Sequence, residues 1–302
     1  MIRKILYAVI VLTVITELFL RFYFGFCDNV LFRSDENYEY IAQPNQNRFR
    51  FRNHIEYNAN SMRSQEVDSS SYVVLGLGDS VINGGVLTDQ TELATTILSD
   101  TLSKIKGKKV QFLNISAGSW GPDNCSAYID KNGIFNAKSI WLFVSSHDAY
   151  DNMEFDNVVG VHPSYPRGQY SIAIYEILDR YILPKFYKII KKQRVKIDRD
   201  KFLGINKKKI NSEFNTGFKD IFNLSVKHQI PMVIYLHAEK KELKAGKYTD
   251  QGQEIIKFAN QNNIKLIKDL ENGIEFSDYR DEIHLNASGQ KKLAHIVLKS
   301  LR

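Results

Sequence analysis

Tyr72-Val73-Val74-Leu75-Gly76-Leu77 runs without a charge into Gly78-Asp79-Ser80-Val81-Ile82-Asn83-Gly84-Gly85. A short apolar run ending on glycine reads as a strand buried on both faces, as in a parallel sheet. The same signal recurs at residues 110–115, 139–144, 231–236 and 264–267, which read as four further strands. Between and after them, residues 93–102, 124–135, 250–260 and 287–301 read as helices, the last with Leu293, Ala294, Val297 and Leu301 on one side. Strands alternating with helices predict an α/β fold: three α/β/α layers around a central, mainly parallel sheet of about five strands. Two segments break the rhythm. Residues 28–71 are polar and irregular and read as a linker or lead-in, with a turn at 58–63. Residues 153–225, rich in Tyr and Lys and partly helical over 171–192, read as an insertion over one sheet edge. The expected organisation is a segment 1–27, the lead-in 28–71, and one domain over 72–302.

With 302 residues, 43% apolar and 25% charged, the chain is balanced like a globular protein, which argues against disorder, collagen and coiled coil. Cys27 and Cys125 are too few for a disulfide scaffold or a cysteine zinc site, and make either one bridge or two free thiols. No H-E-x-x-H, Walker-type loop or G-x-G-x-x-G opening a helix occurs. The net charge of +7 is local: residues 185–209 hold eleven Lys and Arg against only Asp198 and Asp200. Such a run is either a solvated face or a patch for an anionic glycan or lipid phosphate, and nucleic acid is not an expected partner.

Residues 5–26 are apolar apart from Thr13, Thr16, Glu17 and Arg21, and close on the aromatic run Phe22-Tyr23-Phe24-Gly25-Phe26. That length suffices to cross a bilayer. Arg3 and Lys4 on the short leading side place the N-terminus in the cytoplasm and the domain outside it, in a periplasm-like space. Glu17 and Arg21, one turn apart, can pair. A cleaved signal peptide is the alternative, but no small-x-small site precedes Asp28, and bulky Phe26 before Cys27 makes a poor lipoprotein box.

Open α/β sheets place their sites at the carboxyl ends of strands. Ser80, on the turn after the first predicted strand, can hold its hydroxyl outward while backbone amides face a developing oxyanion, although Asp-Ser there is also a good helix cap. Near the C-terminus, Asp281-Glu282-Ile283-His284 puts a carboxylate three residues before an imidazole, which it can orient so that the other ring nitrogen takes a proton from a nucleophile.

Together these two elements resemble the SGNH, or GDSL-like, hydrolases, over roughly 72–150 and 228–302. The resemblance implies a flavodoxin-like sheet and a Ser80–His284–Asp281 triad. Gly118, in Asn114-Ile115-Ser116-Ala117-Gly118-Ser119, matches the family's second-block glycine, an oxyanion donor. Asp79 and Asn83, flanking the nucleophile, are further candidates on the oxyanion or substrate side. The third block departs: Ser145-Ser146-His147-Asp148 stands where the family has G-x-N-D. His147 is then either a replacement oxyanion donor or substrate-selecting group, or a substituted position in a weak or redirected enzyme.

The reading that follows is a membrane-anchored serine esterase acting on an acyl ester, foremost acetyl, of a carbohydrate or cell-envelope glycan, with water completing the cycle and no metal or organic cofactor needed. The rivals are a lipid esterase, an O-acyltransferase, and a non-catalytic glycan-binding or assembly protein on the same fold. His162, Tyr165, Arg167, His237 and Trp120 are secondary candidates for the site's rim.

Overall fold

The five apolar runs form five strands in one parallel sheet. A computed structural model describes residues 1–185 and 213–301. After a leading helix α1 (Ile2–Phe24) come four short strands, β1 (Phe32–Asp35), β2 (Glu39–Ala42), β3 (Gln46–Arg50) and β4 (Asn53–Tyr57). The sheet strands are β5 (Tyr72–Gly78), β6 (Val110–Ser116), β7 (Ile140–Ser145), β8 (Met232–His237) and β9 (Lys265–Lys268), ordered β6-β5-β7-β8-β9. The crevice at which such an order reverses lies beside β5, at the carboxyl ends of the strands.

Alternation along the strands builds two cores. Leu75, Leu77, Ile115, Leu142 and Ile234 face one layer, with Tyr128 and Ile129 from α4 (Pro122–Asn132) and Ile255 from a helix at Asp250–Gln261. Val74, Phe112, Trp141, Phe143 and Tyr235 face the other, with Leu98 from α3 (Ala94–Lys106) and Leu293 and Val297 from the closing helix Ala287–Ser300. The expected three layers and parallel sheet are present.

The lead-in is not a linker. β1 pairs with β2 and β3 with β4 as antiparallel hairpins, and Tyr38, Ile41, Ile55 and Met62 are buried. The expected turn at 58–63 is there, closed by Asn58, whose side-chain oxygen accepts from the N–H groups of Asn60 and Met62. Arg63, fully buried, donates to the carbonyls of Asn83, Gly85 and Thr88 and so grips the loop that follows Ser80.

The insertion is shorter than expected. A helix at Gly217–Lys227 packs on α4 and serves as a layer helix of the sheet. Gly217 permits this contact, because a Cβ there would lie 2.1 Å from backbone atoms of Pro122 and Asp123. Residues 153–172 run irregularly into a helix that begins at Ala173 and widens to a π-turn over Leu178–Ile182. Apart from Lys185, the basic run 185–209 lies outside the described residues. Cys27 and Cys125 are both free, and only Cys125 is fully buried.

Candidate active site

Ser80 opens a four-residue helix directly after β5, and Asp79 caps it by accepting the Val81 N–H at 2.8 Å. Gly78 lets the strand pass close to β7, where a Cβ would meet the Phe143 carbonyl at 2.7 Å. His284 lies on the loop before the closing helix. Its Nε2 is 2.9 Å from the Ser80 Oγ, across 204 residues of sequence. Its Nδ1 is 2.8 and 2.9 Å from the two Asp281 oxygens. Burial raises the Asp281 carboxyl, but the N–H groups of His284 and Ile283 and the imidazole outweigh it and hold the group below the usual carboxylate range. Asp281 thus stays charged and keeps a hydrogen on Nδ1, leaving Nε2 to face the serine as an acceptor.

At the end of β6, the Gly118 carbonyl accepts from the hydroxyls of Tyr40 at 2.8 Å and Tyr165 at 3.0 Å. These two bonds turn the carbonyl away, and no described residue accepts from the Gly118 or Ser80 N–H. Tyr165 also crowds this corner, with its oxygen 3.2 Å from where a Gly118 Cβ would stand.

Asn83 and Asp79 sit on the turn that carries Ser80 and are buried. Asn83 donates to the Ser116 carbonyl and hydroxyl at 3.0 and 3.1 Å and accepts from Tyr57, tying the Ser80 turn to β6 and the second hairpin. Trp120 is likewise interior, donating to the Tyr40 carbonyl at 2.8 Å.

The block after β7 is the unusual part. Both His147 nitrogens face carboxylates: Nδ1 lies 3.3 Å from Glu239 and Nε2 lies 3.6 Å from Asp148. Burial lowers the imidazole, but Asp148, Glu239, Asp79 and Asp151 together push it up to about 10. Glu239, which burial would raise, is brought down to about 2 by His147 and Lys241. Burial drives Asp148 well above its ordinary range, with Asp79 and Asp151 adding to it. One Asp148 oxygen accepts the Ser145 N–H at 2.6 Å, and the other is buried with no hydrogen-bond partner among the described residues. Asp79, His147 and Asp148 each bring a ligand-type atom within 4.8 Å of the others, a set that can hold either a proton or a cation. His147 therefore stands between two carboxylates, just after the strand that pairs with β5.

His237, at the end of β8, is buried. Its Nδ1 meets Asp269 at 2.6 Å and its Nε2 the Ile283 carbonyl at 2.8 Å. A carbonyl only accepts, so Nε2 carries a hydrogen, and the residue before His284 is held from below. Sequence reading offered no partner for His237, because Asp269 and Ile283 stand 32 and 46 residues away. Glu239 and Tyr40 were missed for the same reason, since neither lies in a motif.

No protein-family model matches the sequence, and no curated protein matches it. Solved structures do. The chain is similar to a lipolytic protein of the G-D-S-L family. That protein, from Veillonella parvula, is 14% identical over 76% of this chain and 97% of its own, with a TM-score of 0.41. An acetyl xylan esterase, AlAXEase, is 16% identical over 76% of this chain and 100% of its own, with a TM-score of 0.42. A psychrotrophic esterase, EstA, from a Pseudoalteromonas species is 11% identical over 76% and 97%, with a TM-score of 0.43.

Proposed function

We propose that this chain is a membrane-anchored serine esterase of the SGNH type that removes a short acyl group, foremost acetyl, from a carbohydrate or cell-envelope glycan. The observation that carries this reading is the Ser80–His284–Asp281 array, drawn together from opposite ends of the domain at the carboxyl end of the sheet. The Ser80 Oγ attacks the acyl carbonyl as its proton passes to the His284 Nε2, and Asp281 stabilises the imidazolium through Nδ1–H. The Ser80 and Gly118 N–H groups receive the oxyanion, and His147 adds positive charge in place of a neutral amide donor. His284 returns the proton to the departing sugar oxygen, forming an acyl-enzyme that water then opens. The crowding of Gly118 by Tyr165 supports a short acyl group. The α1 helix anchors the domain on the side of the membrane opposite Arg3 and Lys4.

The test is hydrolysis of an aryl acetate and of a long-chain aryl ester by the full chain in detergent, beside Ser80→Ala and His284→Ala. Turnover that favours acetate and is lost in both variants is expected. Turnover that survives Ser80→Ala in folded protein overturns the reading.

A further inference from the structure

The helix that begins at Ala173 is built inside out. Its inner face holds the fully buried Glu176, which bonds Arg50 at 2.6 Å, the Cys27 N–H at 2.6 Å and the Asn29 amide at 3.1 Å, with Arg180 at 3.1 Å. Its outer face shows Ile172, Tyr175, Leu178 and Leu183, each at least 40% exposed. The first three recur every third residue, so they share one side. A helix of a water-facing domain carries the opposite pattern.

This helix is joined to α1. Glu17 accepts from the N–H groups of Ala173 and Ile174 at 2.8 and 2.9 Å, capping the second helix from within the first. Arg21 pairs with Glu17 at 2.9 Å and donates to the Ser171 carbonyl at 2.7 Å. The end of α1 is itself fixed: Gly25, in the left-handed region, sits so close to the Phe49 carbonyl that any Cβ would collide with it, and Phe24 accepts from the Phe51 N–H.

This contact sets a depth, given the reading of α1 as a membrane span, on which the inference rests. From Ile5 to Thr16 a helix rises only about 18 Å, well short of a hydrocarbon core of about 30 Å. The lipid must therefore reach past Glu17, and whatever caps onto Glu17 reaches the same level. Phe19 and Phe22, beyond Glu17 on α1, are also exposed and carry the apolar surface on.

We infer that residues 172–183 form a second membrane-contacting helix, lying in the lipid interface with Ile172, Tyr175, Leu178 and Leu183 turned to the acyl chains. Its occupant is the bilayer, because the face continues that of a helix that crosses it. Glu17 and Arg21 are then satisfied by the second helix rather than left bare in lipid. The chain just before this helix carries Tyr165 against Gly118, so the wall of the candidate site is joined through residues 166–172 to the membrane-seated helix.

The test uses the full chain in vesicles of phosphatidylcholine, plain or brominated along the acyl chains. Single tryptophans are placed by Tyr175→Trp, Leu178→Trp, Ile10→Trp and Ile105→Trp, the last on α3, and emission from the buried Trp120 and Trp141 is subtracted using the unsubstituted chain. Bromolipid is expected to quench the tryptophans at 175, 178 and 10, and to spare the one at 105. Tyr175→Trp is a near-conservative change that guards against misfolding of Leu178→Trp. Quenching at 10 without quenching at 175 or 178 overturns the inference and leaves the anchor standing. Quenching at none of them overturns the anchor, and the inference with it.

Discussion

Replacing His237 with phenylalanine probes whether the loop carrying His284 is held from below. Both partners of the His237–Asp269 pair are buried, at 1% and 0% side-chain exposure. Phenylalanine fills the imidazole's space but strands the carboxylate. Removing one partner of a buried pair costs about 3–5 kcal/mol. Asp269 keeps donors from the Ala238 N–H at 2.8 Å and the Tyr248 hydroxyl at 3.3 Å, which places the loss near the lower end, about 3 kcal/mol. For a domain of this size that is a fall in Tm of about 6–12 °C. The effect has a sign in pH. Burial lowers the His237 pKa, but Asp269 and the Ile283 carbonyl outweigh it and raise it in the folded state. The stabilisation is then complete below the unfolded value of about 6.5 and is lost as pH rises through the raised folded value. Thermal unfolding of the full chain in detergent, from acid to alkaline pH, measures it. The Tm gap between wild type and His237→Phe should narrow at alkaline pH, and adding Asp269→Asn should recover part of the loss. A gap below about 2 °C at neutral pH, or one that widens with pH, refutes the reasoning.

Asp281→Asn should lower kcat by on the order of 10⁴-fold on aryl acetate with KM nearly unchanged, because the amide cannot hold the productive tautomer; steady-state kinetics reads it. Gly217→Ala should cost about 1–3 kcal/mol in chemical denaturation, since backbone on both helices must part to admit the methyl. His147, charged in the folded state up to about pH 10, contributes stability that is present below pH 6.5 and lost as pH rises through 10. Denaturation at pH 7 and 10 should therefore show wild type losing more stability over that interval than His147→Gln.

The sheet and the Ser80–His284–Asp281 array were legible because their signals are local. Short apolar runs of β-branched and aromatic residues, bounded by turn signals, read as buried strands, and Ser80 and the Asp281-x-x-His284 turn carry their chemistry within three or four residues. The hairpins were not legible, for a reason that can be named. Phe51 and Arg52 form the two-residue turn between β3 and β4 with φ of 49° and 67°, where Asn-Gly is the usual signal. Nothing in a Phe-Arg pair announces such a turn. It is held instead by tertiary contacts: the Phe51 N–H on the Phe24 carbonyl, and Arg50 on Glu176. The flanking strands, Gln-Asn-Arg-Phe-Arg and Asn-His-Ile-Glu-Tyr, show no apolar run, because Asn47, His54 and Glu56 are exposed and the buried Gln46 and Arg50 are polar. The surroundings of His147 were hidden likewise, since Glu239 lies 92 residues further on. The Glu17–Arg21 pair was visible as a spacing, but the helix it caps, more than 150 residues later, was not.

The bond between Arg50 and Glu176 also dictates a schedule of synthesis. The arginine emerges 126 residues before its carboxylate, an interval of roughly 6–25 s at ordinary elongation rates. With α1 as the anchor proposed above, the hairpins would wait through that time tethered at the membrane, with a guanidinium bound for the interior and without the Glu176 carboxylate it is buried against. The Arg50 end of the lead-in therefore closes only after Glu176 has been made, and a nascent chain stalled before residue 176 lacks the carboxylate that completes its first-made part.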